Sequence, residues 1–238
     1  MKPTVIFTGT VMAEARDARD YLKTLDYEVV TVPEDVCLWD EAALRAFAEP
    51  WAASLCGVVH PAPERILGSI AEVSEDQWDR ALNEGALSAW CATKVFCGIM
   101  KDNGGGSMIY LNSIHAEKPV GYGALFSMGC GAAQMLCREA NQDYGQFNVR
   151  TFFIQKGITD TDPDSKSPVS SVYFGVDLRY SQRKMPEPGY LNGLIAFLLT
   201  PEAAPLSGAD LRADGGMTMF YTHRHRVEGR VYFDPNKR

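Results

Sequence analysis

Residues 4–15 read Thr4-Val5-Ile6-Phe7-Thr8-Gly9-Thr10-Val11-Met12-Ala13-Glu14-Ala15, and the change of pattern inside this stretch decides the fold class. A short β-branched and aromatic run ends on Thr8-Gly9. From Ala13 to Leu25 the apolar positions then return at helical spacing. A strand that feeds a helix through a glycine turn is the first half of a βαβ unit. The alternation continues along the chain. Strands are expected at Thr4 to Thr8, Glu28 to Val32, Leu55 to His60, Ser107 to Asn112, Val149 to Gln155 and Ala209 to Ala213. Helices are expected at Ala13 to Leu25, Asp40 to Ala53, Glu75 to Lys101, Ala124 to Tyr144 and Tyr190 to Thr200. Strands that alternate with helices imply an α/β fold with a doubly wound parallel sheet covered on both faces.

The bulk numbers fit that reading. A chain of 238 residues buries one large core, so a single domain is expected. Hydrophobic residues make up 46% and charged residues 22%, which excludes disordered and collagen-like classes. A net charge of -7 argues against nucleic acid and anionic membrane surfaces as partners. No apolar run reaches the ~20 residues of a membrane span. The chain opens directly into a strand with no signal-peptide pattern, which makes the cytoplasm the expected compartment. Six cysteines, Cys37, Cys56, Cys91, Cys97, Cys130 and Cys137, form no CxxC pair and no Cys/His metal spacing. They are expected to be reduced and mostly buried, with no metal site.

Two regions break the alternation. Ile158 to Gly189 is polar and punctuated by Pro163, Pro168, Pro186 and Pro188, and reads as a mobile or substrate-covering loop. Met217 to Arg238 carries Arg224, Arg226, Arg230, Lys237 and Arg238 against Glu228 and Asp234, interleaved with Phe220, Tyr221, Val231, Tyr232 and Phe233. A charge run of this kind reads as a solvated end. Its aromatic residues favour docking on another surface.

The C-terminal third carries a resemblance. Leu194-Ile195-Ala196-Phe197-Leu198-Leu199, Thr200-Pro201-Glu202-Ala203, Leu206-Ser207-Gly208 and Asp214-Gly215-Gly216 follow in the order and spacing of the helix, loop, "TG" and "DGG" of the short-chain dehydrogenase/reductase family. Gly106 to Ser113 resembles that family's "GSIVNISS" strand. Trp78 and the helix after it resemble its "W…N" segment, and Val149-Arg150 with Gly157 its "IRV…PG" strand and turn. The likeness runs from about residue 4 to residue 219. It implies a Rossmann-type domain over residues 1–216, with 217–238 as a C-terminal basic and aromatic extension.

The same likeness marks departures. It places the family's catalytic serine at Ser113, but its tyrosine position holds Phe126, its lysine position Cys130 and its helix asparagine position Gly85. Phenylalanine has no proton to give or take, and loss of general acid/base catalysis alone costs ~10²–10⁴-fold. The family's cofactor loop, T-G-x-x-x-G-x-G, reads here with Gly9 kept and Ala13, Glu14 and Ala15 in its second half. The methyls of Ala13 and Ala15 are expected to stand where backbone and phosphate would meet. Glu14 is expected to occupy the helix N-terminus and repel a pyrophosphate directly. Pro33 stands at the ribose-binding acid with Glu34 beside it, and His60-Pro61-Ala62-Pro63 at the "NNAG" turn.

From the resemblance we therefore expect a non-catalytic subunit that binds no cofactor itself. It would serve a heteromeric NAD-dependent dehydrogenase of a hydroxyacyl-CoA, with NAD on the partner subunit. The partner is expected to be an active short-chain dehydrogenase paralogue, joined in a hetero-oligomer, a tetramer, through the two long helices. Their apolar residues are Leu82, Leu87, Trp90, Val95, Phe96 and Ile99 on one, and Leu125, Met128, Met135 and Leu136 on the other. The competing account is that these residues cover the chain's own sheet. The basic tail is expected to contact the partner or an acyl-CoA phosphate. Two alternatives stand beside this. One is an enzyme with a site rebuilt from Ser113, His115, Tyr122 and Cys130, the last as a reactive thiol. The other is a small-molecule binding module in the vacated cofactor cleft.

Overall fold

The computed structural model of the chain describes residues 2–119, 121–159, 180 and 184–219. Most of the expected covering loop and nearly all of the 217–238 extension lie outside the described residues. Six parallel strands form one sheet: β1 (Thr4–Phe7), β2 (Glu28–Thr31), β3 (Leu55–Pro61), β4 (Gly106–Ser113), β5 (Val149–Lys156) and β6 (Asp210–Ala213). Their order is β2-β1-β3-β4-β5-β6. This is the Rossmann-type, doubly wound architecture expected from the alternation. Only β2 lies beyond β1, whereas the commonest dinucleotide-binding order, 3-2-1-4-5-6, has two strands there. The winding reverses between β1 and β3, and that switch point is where such sheets hold ligands.

Period-two alternation sends neighbouring side chains to opposite faces. Val5, Phe7, Val59, Ile109, Leu111, Phe152 and Ile154 pack against α1 (Ala13–Leu22) and α7 (Asn192–Leu198). Ile6, Val58, Met108, Tyr110 and Phe153 face the other way, onto α2 (Glu41–Ala48) and the two long helices. β1, β3, β4 and β5 are buried almost throughout, whereas β2 and β6, at the two edges of the sheet, are half-exposed.

Helix limits differ from the sequence reading where the chain chemistry changes. The expected helix from Asp40 to Ala53 begins as read, with the Asp40 carboxylate accepting from the N–H groups of Ala42 and Ala43 at 2.9 and 3.1 Å. It passes into a 3-10 turn at Glu49–Ser54, because Pro50 has no N–H to continue the ladder. The first helix stops at Leu22 rather than Leu25, and the last is regular only over Asn192–Leu198, after a 3-10 turn at Pro188–Leu191.

The expected helix from Glu75 to Lys101 is present but not uniform. α3 (Glu75–Ala81), started by a Ser74–Gln77 capping box, α4 (Ser88–Ala92) and α5 (Gly98–Asp102) are joined by π-helical turns at Leu82–Leu87 and Thr93–Cys97. Gly85 sits in the first π turn and faces Gly129 of α6 (Ala124–Tyr144): a methyl on Gly85 would lie 3.2 Å from the Gly129 Cα. At this close crossing any side chain at position 85, including the asparagine that the resemblance would place there, requires the two helices to give way. Gly85→Asn is expected to destabilise the fold by ~1–3 kcal/mol through overpacking, read as a lower urea midpoint at unchanged slope.

The long helices divide their apolar residues between two tasks. Val95, Phe96 and Leu125 are buried, and Ile99 and Leu136 pack partly onto the core. Leu82, Leu87, Trp90, Met128 and Met135 stay exposed, together with Trp78. The competing account therefore holds for the first group and fails for the second.

Candidate functional site

The switch point opens into a two-part cleft at the carboxyl ends of β1 and β3. The outer part, about 1210 Å³, is lined by Thr8, Gly9, Pro33, Glu34, His60 and Glu84 among others. The inner part, about 370 Å³, is lined by Met12, Ala13, Ala62, Ser113, Phe126 and Lys156 among others. The inner part falls in the size range of small-molecule sites, and the outer part exceeds it.

The loop Thr8–Met12 enters α1 with no side-chain cap on its first turn. Arg16, one turn in, reaches back and donates through Nη1 to the carbonyls of Thr10 and Val11 at 2.8 and 2.7 Å. Ala13 lies half-buried on the inner cleft. Ala15 does not face the cleft. Its methyl is buried in the α1–sheet core with Val5, Ala18 and Leu22, because it shares the buried stripe of the helix. Glu14 also departs from expectation. Its side chain turns inward, 1% exposed, and its Oε1 accepts from Lys156 Nζ at 2.9 Å and from Thr159 Oγ1 at 2.8 Å. The carboxylate is thus a buried partner of Lys156 at the end of β5, and not a bare charge in the cleft. Lys156, 6% exposed, lines the inner cleft beside Gly157.

Ser113 ends β4, and its Oγ accepts the His115 N–H at 3.3 Å. Phe126 and Cys130 form a small apolar cluster with Ala62, against which Met12 and Ala116 pack. The Arg65 guanidinium lies 5.6 Å over the Phe126 ring, and the His115 ring meets its edge at 6.0 Å. Burial pushes the Cys130 thiol up to about 12, so it carries no thiolate at neutral pH and is not the reactive group a rebuilt site would need. His115 engages the Lys118 carbonyl through Nδ1 at 2.8 Å, a loop-holding bond. Tyr122 is exposed, with a left-handed φ of 47°. The structure gathers Ser113, His115 and Phe126 on the inner cleft and places Gly85 against Gly129. Among the described residues no group of acids, histidines and cysteines has the arrangement of a metal site.

His60 is wholly buried, with Nδ1 bonded to the Thr8 hydroxyl at 2.8 Å and its ring edge-on to Tyr110. Burial lowers it from 6.5 to about 4, so the folded chain holds the neutral ring. The unfolded chain takes up this proton near the ordinary value and the folded chain does not. The stability that follows is complete above 6.5 and is lost as pH falls from there towards about 4. A loss of roughly 2 kcal/mol between about pH 8 and pH 5 is expected from this group. It should shrink in His60→Gln when urea midpoints are compared at the two pH values.

Residues 4–218 match the family model described as enoyl-(acyl carrier protein) reductase. A dehydrogenase/reductase SDR family member 4 of Bos taurus is 23% identical over 206 residues, covering 81% of this chain and 71% of the relative. A 2-(S)-hydroxypropyl-CoM dehydrogenase of Xanthobacter autotrophicus is 26% identical over 184 residues, covering 75% and 72%. A tropinone reductase homolog of Arabidopsis thaliana is 23% identical over 153 residues, covering 62% and 56%. Against that relative and others like it the chain spans about half of the relative's length. The fold is similar to that of ElxO with NADP bound, at a TM-score of 0.80 and 17% identity, covering 92% of this chain and 100% of that one. It is similar also to a gluconate 5-dehydrogenase of Burkholderia cenocepacia J2315 in complex with NADP and tartrate, at 0.80 and 14%, covering 92% and 96%. At these identities the structural likeness is one of fold.

Proposed function

This chain belongs to the short-chain dehydrogenase/reductase family, and from that premise we propose that it is a non-catalytic subunit, in the cytoplasm, of a heteromeric NAD-dependent dehydrogenase. The partner is an active paralogue that carries the NAD, and the substrate of the assembly is a hydroxyacyl-CoA. Within that class we propose the degenerate subunit of (hydroxyphenylmethyl)succinyl-CoA dehydrogenase, of anaerobic toluene degradation through benzylsuccinate. What supports the specific assignment is the pattern of departures.

The observation that carries the reading is the buried Glu14–Lys156 pair with Thr159. It turns the Glu14 side chain of the first turn of α1 into an internal contact, where the resemblance would have helix amides and small residues receive a pyrophosphate. The Phe126–Cys130 cluster and the Gly85–Gly129 crossing support it independently, because each fills with packing a position that the resemblance gives to a catalytic group. The exposure of Trp78, Leu82, Leu87, Trp90, Met128 and Met135 on the two long helices supports a helix-face partner.

The test is expression of the chain alone and together with a catalytically complete paralogue encoded beside it. Co-purification is expected, with dehydrogenase activity only in the pair. Activity of the chain by itself would overturn the reading, and failure to co-purify would remove its heteromeric half. The volume of the cleft favours a second reading, a small-molecule binding module, which extends the first without replacing its chemistry.

A further inference from the structure

We infer that the inner part of the cleft is a binding site for a small carboxylate with an apolar body. The inference goes beyond the subunit reading but rests on its claim that no dinucleotide lies in the cleft, since a bound nicotinamide would compete for the same space.

The cleft is divided by charge. Its outer part is walled by Glu34, Asp35, Glu64 and Glu84, and Arg80 on that wall is already engaged by Glu84 at 2.6 Å and Glu64 at 3.2 Å. An extended polyphosphate meets like charge there. The inner part reverses the sign: Arg16, Arg65 and Lys156 line it against Glu64. The Lys156 charge is offset by Glu14. Arg16 is different. Its recorded bonds go to the Thr10 and Val11 carbonyls, and no acid lies within salt-bridge reach of it among the described residues. Those carbonyls hold the exposed guanidinium at the boundary of the two parts, where it lines both, with no ion pair among the described residues.

The other walls are apolar. Phe126, Met12, Ala62 and Ile158 line the inner part, and Leu67, 52% exposed, and Val11, 66% exposed, bring side chains to it from solvent. A purely charged ion would leave these walls wet, and a neutral hydrocarbon would leave Arg16 without an anion. A monoanion with a hydrocarbon body satisfies both, through a charge-assisted hydrogen bond at one end and burial at the other. At about 370 Å³, near the lower end of small-molecule sites, the space suits a ligand far smaller than a dinucleotide.

The experiment is calorimetric titration of the full chain with hexanoate and with 3-phenylpropanoate, each beside its primary amide. NADP is titrated separately. Saturable binding of at least one acid is expected, about tenfold or more tighter than its amide. Arg16→Gln should abolish that preference and Arg16→Lys should keep part of it. Leu67→Glu changes an exposed residue that the fold does not need, and should weaken the acid by about tenfold and the amide by less, since both lose the apolar contact and only the acid meets the new charge. Equal affinities for acid and amide, no saturation by either acid in the millimolar range, or an acid affinity unmoved by Leu67→Glu would each overturn the inference. If neither NADP nor the acids bind, only the inference falls. If NADP binds and an acid displaces it, the subunit reading falls, and with it the premise used here.

Discussion

Lys156→Met is expected to cost the fold about 3–5 kcal/mol, because it leaves the Glu14 carboxylate inside the protein with the Thr159 hydroxyl as its recorded remaining partner. Two charges already out of water hold each other at 2.9 Å, and removing one leaves the desolvation of the other uncompensated. Removing both has a different consequence. Glu14→Leu with Lys156→Met replaces the pair by apolar groups of similar length and should lie near the parent or above it, since buried pairs exchanged for hydrocarbon are often neutral or stabilising by ~1–4 kcal/mol. Urea unfolding of the parent, both single variants and the double variant closes the cycle. A Lys156→Met midpoint indistinguishable from the parent would mean that the carboxylate does not depend on the ammonium. The pair would then lose its role as the contact that ties the start of α1 to the end of β5.

The sheet was legible because its signal is local and repeated. Each of the six strands lies within one residue, at either end, of the position read from β-branched and aromatic runs. The α6 limits, Ala124–Tyr144, agree with the reading at both ends. What was not legible depends on the third dimension. Glu14 was read as a bare charge because a helix N-terminus favours acids, a rule of one helix alone. The signal that would have corrected it was present: positions 14, 18 and 22 are one helical face, and Ala18 and Leu22 are core residues. Lys156 was passed over altogether. A lysine closing a strand that is buried along its whole length needs an anion, and Glu14, 142 residues earlier in the chain, supplies one. Ala15 was misplaced for the same reason as Glu14, since the motif names the loop position but the helix phase decides which way the methyl points. The division of the long helices into covered and exposed apolar residues required the sheet to be in place. So did the Gly85–Gly129 crossing, which no linear pattern announces.

Phe126→Tyr combined with Cys130→Lys, the pair of changes that rewrites the proton-carrying positions, is expected to leave dehydrogenase activity at background. Cys130 is fully buried beside Ala62 and Phe126, and the surroundings that push its thiol up to about 12 disfavour any charge there. A lysine in that place would shed its proton and offer no positive charge to lower the pKa of a neighbouring tyrosine. A proton relay is worth ~10²–10⁴-fold only once substrate and cofactor are held, and the double variant leaves the cofactor entrance as it was. Glu14 still turns into Lys156, and Gly85 still meets Gly129 where the resemblance expects an asparagine. Two measurements check this together: equilibrium dialysis of NAD and NADP against parent and variant, and nicotinamide reduction with a panel of hydroxy-substrates. Binding should be absent from both proteins and reduction absent from the variant. Reduced nicotinamide formed by the variant above the parent would show that the loop from Thr8 to Ala15 accepts a dinucleotide with the ion pair in place. The buried pair would then be a support for a working cofactor site instead of its replacement.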